Sequence, residues 1–187
     1  MNILIVDNHT KHLEGICRLL PDTPAIIPWD AISTTDALDR DLIILSGGTD
    51  IPPVAEFGMS YLVEKSIALG SETPVIGICL GAEIIGDAWD GTLAHLGMKR
   101  QGPFTVTPTG KGTEALGIRS PFDVYEGHSS AITALPDTFD ILATSIDGIE
   151  IFRHKTRPLY GLQFHPEHLV DRTSGDEIFR RILQEIS

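Results

Sequence analysis

The sequence predicts an α/β fold: an open, doubly wound, mostly parallel sheet with antiparallel strands added in its C-terminal half. Three observations carry this. The N-terminal half alternates short, nearly unbroken apolar runs with amphipathic segments, as parallel strands covered on both faces by crossover helices require. After about residue 100 the texture changes to short alternating stretches set apart by turn signals. Finally, glycines follow two of the N-terminal apolar runs, in LSGG and GICLG, at the strand ends where the ligand crevice of such a sheet opens.

Taken in order, NILIVD (2–7), DLIILS (41–46) and PVIGIC (74–79) read as buried parallel strands, with AIIPW (25–29) as a further one. Helical periodicity covers 11–20 and roughly 55–69. In the first of these, Leu13, Ile16, Cys17 and Leu20 share a face, so Cys17 reads as a packed core residue. FTVTPT, FDILATS, IEIFRHK and PLYGLQF read as antiparallel strands, separated by turns at Thr109-Gly110, Leu135-Pro136 and Asp147-Gly148. Ser174 followed by Glu177 is a capping-box signature that opens a last helix. The 187 residues, without repeat, low-complexity tract or linker, read as a single domain, 1–187.

The 14 Lys and Arg against 26 Asp and Glu leave a formal charge of −12, which argues against nucleic acid or an anionic membrane as a partner. Apolar runs of about six residues fall far short of the roughly 20 that span a bilayer. The N-terminus lacks the basic and long apolar regions of a signal peptide. A cytoplasmic protein is the expectation, in which two cysteines do not make a disulfide framework and Cys79 is a free thiol.

Cys79 ends a predicted strand between Gly77 and Gly81, the cysteine counterpart of the G-x-S-x-G turn that pushes a nucleophile into the crevice. A helix starting near Gly81 would lower the thiol pKa through its N-terminal amides, and the Leu80 N–H would face a developing oxyanion. Glycine and cysteine also meet by chance in sheet proteins, so the reading needs a base. LYGLQFHPEH supplies one: Pro166 is expected to hold the chain extended, so that His165 and Glu167 share a face and Glu167 supports the imidazole. LSGGTD (45–50) is either a plain glycine turn or a loop in which Gly48 gives the second oxyanion donor.

With GICLG, YGLQFHPE, LSGG and, more weakly, VDN (6–8) and YEGHSSAITALP (125–136), the chain resembles the class I glutamine amidotransferases over essentially its whole length. The resemblance implies a flavodoxin-like fold and a Cys79-His165-Glu167 triad that hydrolyses L-glutamine through a cysteinyl thioester. Gly48 and Leu80 amides would form the oxyanion hole, and the backbone around His128 and Ser129 would hold the ends of the substrate. For His128 a partly buried loop histidine is the competing reading. Ala82 and Glu83 depart from the family's usual G-x-C-L-G-H-Q or G-x-C-L-G-M-Q, so a carboxyl group replaces an amide that contacts glutamine, and Thr49 replaces a common proline. No cofactor is expected in this chain. ATP and Mg²⁺ are expected only on a separate synthetase subunit that consumes the ammonia. Among such subunits the sequence is most similar to the glutaminase half of two-part GMP synthetases. The glutaminase of anthranilate or aminodeoxychorismate synthase, a stand-alone γ-glutamyl hydrolase and a non-enzymatic regulatory module are the alternatives.

Overall fold

A computed structural model describes residues 1–49 and 53–186. Five parallel strands, β1 (Ile3–Asp7), β2 (Ala25–Pro28), β3 (Leu42–Leu45), β4 (Val75–Ile78) and β11 (Leu159–Leu162), stand in the order β2-β1-β3-β4-β11. Alternate side chains leave each strand on opposite faces, and both faces are covered, which is why these runs are apolar throughout. Ile3, Ile5, Leu42 and Ile44 pack with Ile16 and Leu19 of α1 (Leu13–Leu19) and with Ile178, Phe179 and Ile182 of α6 (Gly175–Ile186). On the other face Leu4, Val6, Ile43 and Leu45 meet Ile67 and Ala68 of α3 (Leu62–Gly70) and Ile84 and Ile85 of α4 (Leu80–Ala88).

Beyond β11 the sheet continues antiparallel through β10 (Ile149–His154), β9 (Phe139–Thr144), β6 (Gly102–Pro108) and β7 (Phe122–Glu126). A side branch of β5 (Thr92–His95) and β8 (Ser130–Ala134) attaches to β10. The mixed α/β architecture therefore agrees with the sequence, although β5, β7 and β8 were not foreseen as strands and four further points differ. PLYGLQF is not a purely antiparallel strand: β11 runs parallel to β4 and antiparallel to β10, and so joins the two halves. The 55–69 helix is divided into α2 (Val54–Phe57), a 3-10 turn (Gly58–Tyr61) and α3. A short helix α5 (Gly110–Leu116), capped by the Thr109 hydroxyl on the Gly112 N–H, was not foreseen. The capping box at Ser174 does not form, because the Ser174 N–H is bonded to the Asp123 carbonyl at 2.8 Å and Glu177 pairs with Arg181 at 2.6 Å. Among the described residues no helix is long and apolar enough to cross a membrane.

Candidate active site

The carboxyl ends of β3, β4 and β11 converge on one cavity of about 390 Å³, within the range of about 300–1,000 Å³ usual for small-molecule sites. Cys79 is the last residue before α4 and adopts φ 49°, ψ −105°, a conformation disfavoured for a residue with a side chain. Two close approaches enforce it. A Cβ on Gly81 would lie 2.1 Å from the Leu45 carbonyl oxygen, and one on Gly77 would lie 2.5 Å from the Gly81 backbone. The helix thus sits directly on the strand ends, and the chain turns sharply at Cys79. Its helix begins at Leu80, one residue earlier than the sequence suggested, so the Leu80 amide belongs to the first turn, whose N–H groups have no intrahelical acceptor.

Cys79 and His165 act on each other's protonation, the sulfur favouring the charged imidazole and the imidazole favouring the thiolate. His165 Nδ1 lies 2.8 Å from Glu167 Oε1, which leaves Nε2 for the thiol, and all three residues are about 95% buried. The His165–Glu167 contact is not made along extended backbone as the sequence suggested. The His168 N–H bonds the His165 carbonyl at 3.2 Å, so Pro166 enters a tight turn after β11 that brings the carboxylate back under the ring. The ring is confined from both sides: a Cβ on Gly47 would stand 2.9 Å from its Cε1, and one on Gly127 would stand 3.1 Å from its Nε2. Glycine at 47 is therefore a requirement of the imidazole as much as of the loop.

Burial pushes the Cys79 thiol up, and His165 works against that. This reverses the expectation that the helix N-terminus would leave it with a lowered pKa, because desolvation in the closed site outweighs it. The His165 imidazole is held well above its ordinary range: burial disfavours the charge, but the Cys79 sulfur and Glu167 favour it more strongly. The pair is thus arranged to pass one proton between sulfur and nitrogen.

The structure brings the remaining candidates to the same cavity, which Gly48, Leu80, Glu83, His128 and Ser129 all line. Asp50 of the LSGGTD segment lies outside the described residues. Glu83 is 4% exposed, accepts from Gln163 Nε2 at 3.1 Å, and is pushed up by burial despite that bond, toward the protonated acid. The His128 and Ser129 carbonyls already accept from the Arg100 and Leu96 N–H groups, each at 2.8 Å. The His128 ring turns inward to Glu126 and the Ser130 carbonyl and is buried, 4% exposed. Lys11, His12, Lys99, Gln101 and Tyr125 also line the cavity and were missed from sequence. NHTKH after β1 was the available signal for the first two. Glu126 and Glu150 were missed as well, although a glutamate within the apolar IEIF strand is conspicuous.

Residues 4–185 match the family glutamine amidotransferase class-I. The chain belongs to the class-I glutamine amidotransferases. Within that family it is 34% identical over 190 aligned positions to a subunit of the glutamine-hydrolyzing GMP synthase of Methanococcus maripaludis, covering 98% of this chain and 96% of the relative. The corresponding subunit of Methanothermobacter thermautotrophicus is 31% identical over 88% of each chain. A crystal structure described as a putative GMP synthase subunit from Thermoplasma acidophilum superimposes with a TM-score of 0.85 at 30% identity, covering 100% of this chain and 94% of that one. A glutamine amidotransferase from Thermotoga maritima, 15% identical with a TM-score of 0.74, shares the fold.

Proposed function

We propose that this amidotransferase hydrolyses L-glutamine and delivers the ammonia to a separate ATP-dependent synthetase subunit that aminates XMP. The observation that carries the reading is the buried Cys79–His165–Glu167 relay opening on a cavity at the carboxyl ends of the parallel strands. In this reading Cys79 Sγ attacks the side-chain carbonyl carbon of glutamine while His165 Nε2 takes the thiol proton. The oxyanion is held by the Leu80 and Gly48 N–H groups. His165 returns the proton to the departing nitrogen, ammonia leaves, and a glutamyl thioester remains. His165 then takes a proton from water, whose oxygen attacks the thioester carbon; the C–S bond breaks, His165 returns that proton to the sulfur, and glutamate leaves.

Glu167 keeps the Nδ1–H tautomer, so Nε2 is free to act at each step. Glu83, drawn toward its neutral acid, offers an O–H donor and a carbonyl acceptor where relatives of the family commonly present an amide. This supports glutamine as the substrate despite the acidic side chain. In this reading the loop N–H groups at His128 and Ser129, whose carbonyls accept from Arg100 and Leu96, receive the substrate's carboxylate. The two relatives at 34% and 31% identity, each named as one subunit of a glutamine-hydrolyzing GMP synthase, support a separate partner subunit; ATP and Mg²⁺ on that partner are part of this reading.

The test is glutamate release from L-glutamine by the purified protein, alone and with a GMP synthetase ATP-binding subunit, XMP and Mg-ATP. Low basal release that rises on addition of the complete partner is the expected result. Full release without any partner, greatest on γ-glutamyl peptides, would instead establish a stand-alone hydrolase.

A further inference from the structure

One buried cluster has no part in the thiol chemistry. Glu126 at the end of β7, His128 in the turn that follows and Glu150 in β10 are 2%, 4% and 2% exposed, and their ligand atoms all lie within 4.8 Å of one another. Glu150 occupies a register shift of the β10–β9 pairing, between Ile149, opposite Thr144, and Ile151, opposite Ala143. Such a bulge re-aims a side chain out of the ordinary alternation of the strand. Here it delivers a carboxylate to the interior.

Among the described residues, four buried polar atoms of the cluster have no hydrogen-bond partner: both Glu126 oxygens, His128 Nε2 and Glu150 Oε2. His128 Nδ1 lies 2.6 Å from the Ser130 carbonyl, an acceptor only, so Nδ1 carries the hydrogen and Nε2 turns to Glu126 Oε2 at 2.8 Å. Glu150 Oε1 accepts from the Ser145 hydroxyl at 2.6 Å. Arg100, the neighbouring guanidinium, is engaged by Asp147 in two bonds of 2.7 Å. Buried donor atoms without hydrogen-bond partners, converging within 4.8 Å of one another, are an arrangement that a cation would satisfy by displacing the protons they share.

We propose that Glu126, His128 and Glu150 bind a divalent transition-metal cation of the zinc, manganese or iron(II) class. One imidazole with two carboxylates suits such ions better than magnesium or calcium, which favour all-oxygen shells and bound water. The Nδ1–H bond to a backbone carbonyl is the outer partner that metal-bound histidines commonly have. Terminal carboxylate torsions are soft, so the donors can draw in to bonds of about 2.0–2.2 Å. Because His128, Ser129 and Ser130 also line the substrate cavity, the cation would brace the wall of that cavity. The site does not depend on the glutaminase reading.

Full-length protein stripped with a chelator would be dialysed against Zn²⁺ alone and, separately, Mn²⁺ alone, with metal per chain measured by elemental analysis. One equivalent is expected, together with a higher melting temperature and a zinc absorption-edge spectrum with nitrogen and oxygen neighbours but no sulfur. Glu126→Gln and Glu150→Gln should each weaken binding by more than the about 10–100-fold that loss of an outer partner costs. Cys79→Ser should bind normally. Absence of stoichiometric metal in the wild-type protein, a sulfur shell, loss of binding in Cys79→Ser, or retention by the doubly substituted protein would each overturn the proposal. Should the glutamine variants not fold, the wild-type spectrum and Cys79→Ser still decide.

Discussion

Glu64 offers a stability experiment whose size follows from the structure. It projects from α3 into the interior, 1% exposed, where its Oε1 accepts from Asn8 Nδ2 at 3.0 Å. Asn8 in turn donates from Nδ2 to the Ser46 carbonyl at 3.0 Å and from its backbone N–H to the Ser46 hydroxyl at 2.9 Å, so this carboxyl helps to fix the loop that carries Gly47. Burial pushes Glu64 from 4.5 up to about 7, with the Asn8 bond pulling the other way. The native state thus binds this proton more tightly than the unfolded chain does. Its contribution is fully present below pH 4.5 and is lost as pH rises through about 7. At about 1.4 kcal/mol per pH unit, the interval amounts to about 3 kcal/mol by pH 8. Glu64→Gln keeps the shape and the acceptor, removes the ionisation, and adds a donor near Asn8, whose Oδ1 is buried without a partner among the described residues. Thermal melts of both proteins across pH 5 to pH 9 should diverge, with the variant gaining roughly 6–12 °C relative to wild type toward alkaline pH. Parallel curves, or a variant that loses ground as pH rises, would refute the reasoning.

Other outcomes follow from the site. Gly81→Ala puts a methyl group against the Leu45 backbone, which no rotamer relieves; it should cost about 3 kcal/mol, the upper range for overpacking, and blunt thiol reactivity, as a melt and a thiol-labelling rate would show. A melt that coincides with wild type would mean that α4 is not seated on β3 as described. His165→Ala should lower kcat for glutamine on the order of 10²–10⁴-fold, because no base then faces the thiol; turnover at the wild-type rate would remove His165 from the mechanism. Glu167→Gln should lose less, and should move the acid limb of kcat/KM to lower pH, because one of the charges that raises the imidazole is gone. A limb that stays in place or moves upward would separate Glu167 from His165.

The parallel half of the fold and the triad were legible because their signals are local. Buried parallel strands are apolar throughout, and the glycines at 77 and 81 mark a helix that touches a strand. His165 and Glu167 are two positions apart, so proximity was readable even though the path is a turn and not a strand. The direction of β11 was not readable, because its neighbours β4 and β10 come from distant parts of the chain. β5, β7 and β8 were not read as strands for a related reason: their alternation is weak, and their burial depends on which strand they meet. The thiol's upward shift was invisible for another reason, since helix position can be read from spacing, whereas desolvation depends on how completely Gly47, Gly127 and the loops close over the ring. The Glu126–His128–Glu150 cluster joins residues from β7 and β10, and the bulge that turns Glu150 inward leaves no sequence mark beyond a glutamate in an apolar run.

The central claim is that Cys79 forms the covalent intermediate with glutamine. Incubation with a glutamine-shaped electrophile, followed by peptide mass spectrometry and measurement of residual glutaminase activity, tests it most directly. One adduct per chain on Cys79, with activity lost in step with labelling and no adduct on the Cys79→Ala protein, is the predicted result. Activity that survives complete labelling of Cys79, inactivation by an adduct on Cys17, or glutamine turnover by Cys79→Ala would contradict it.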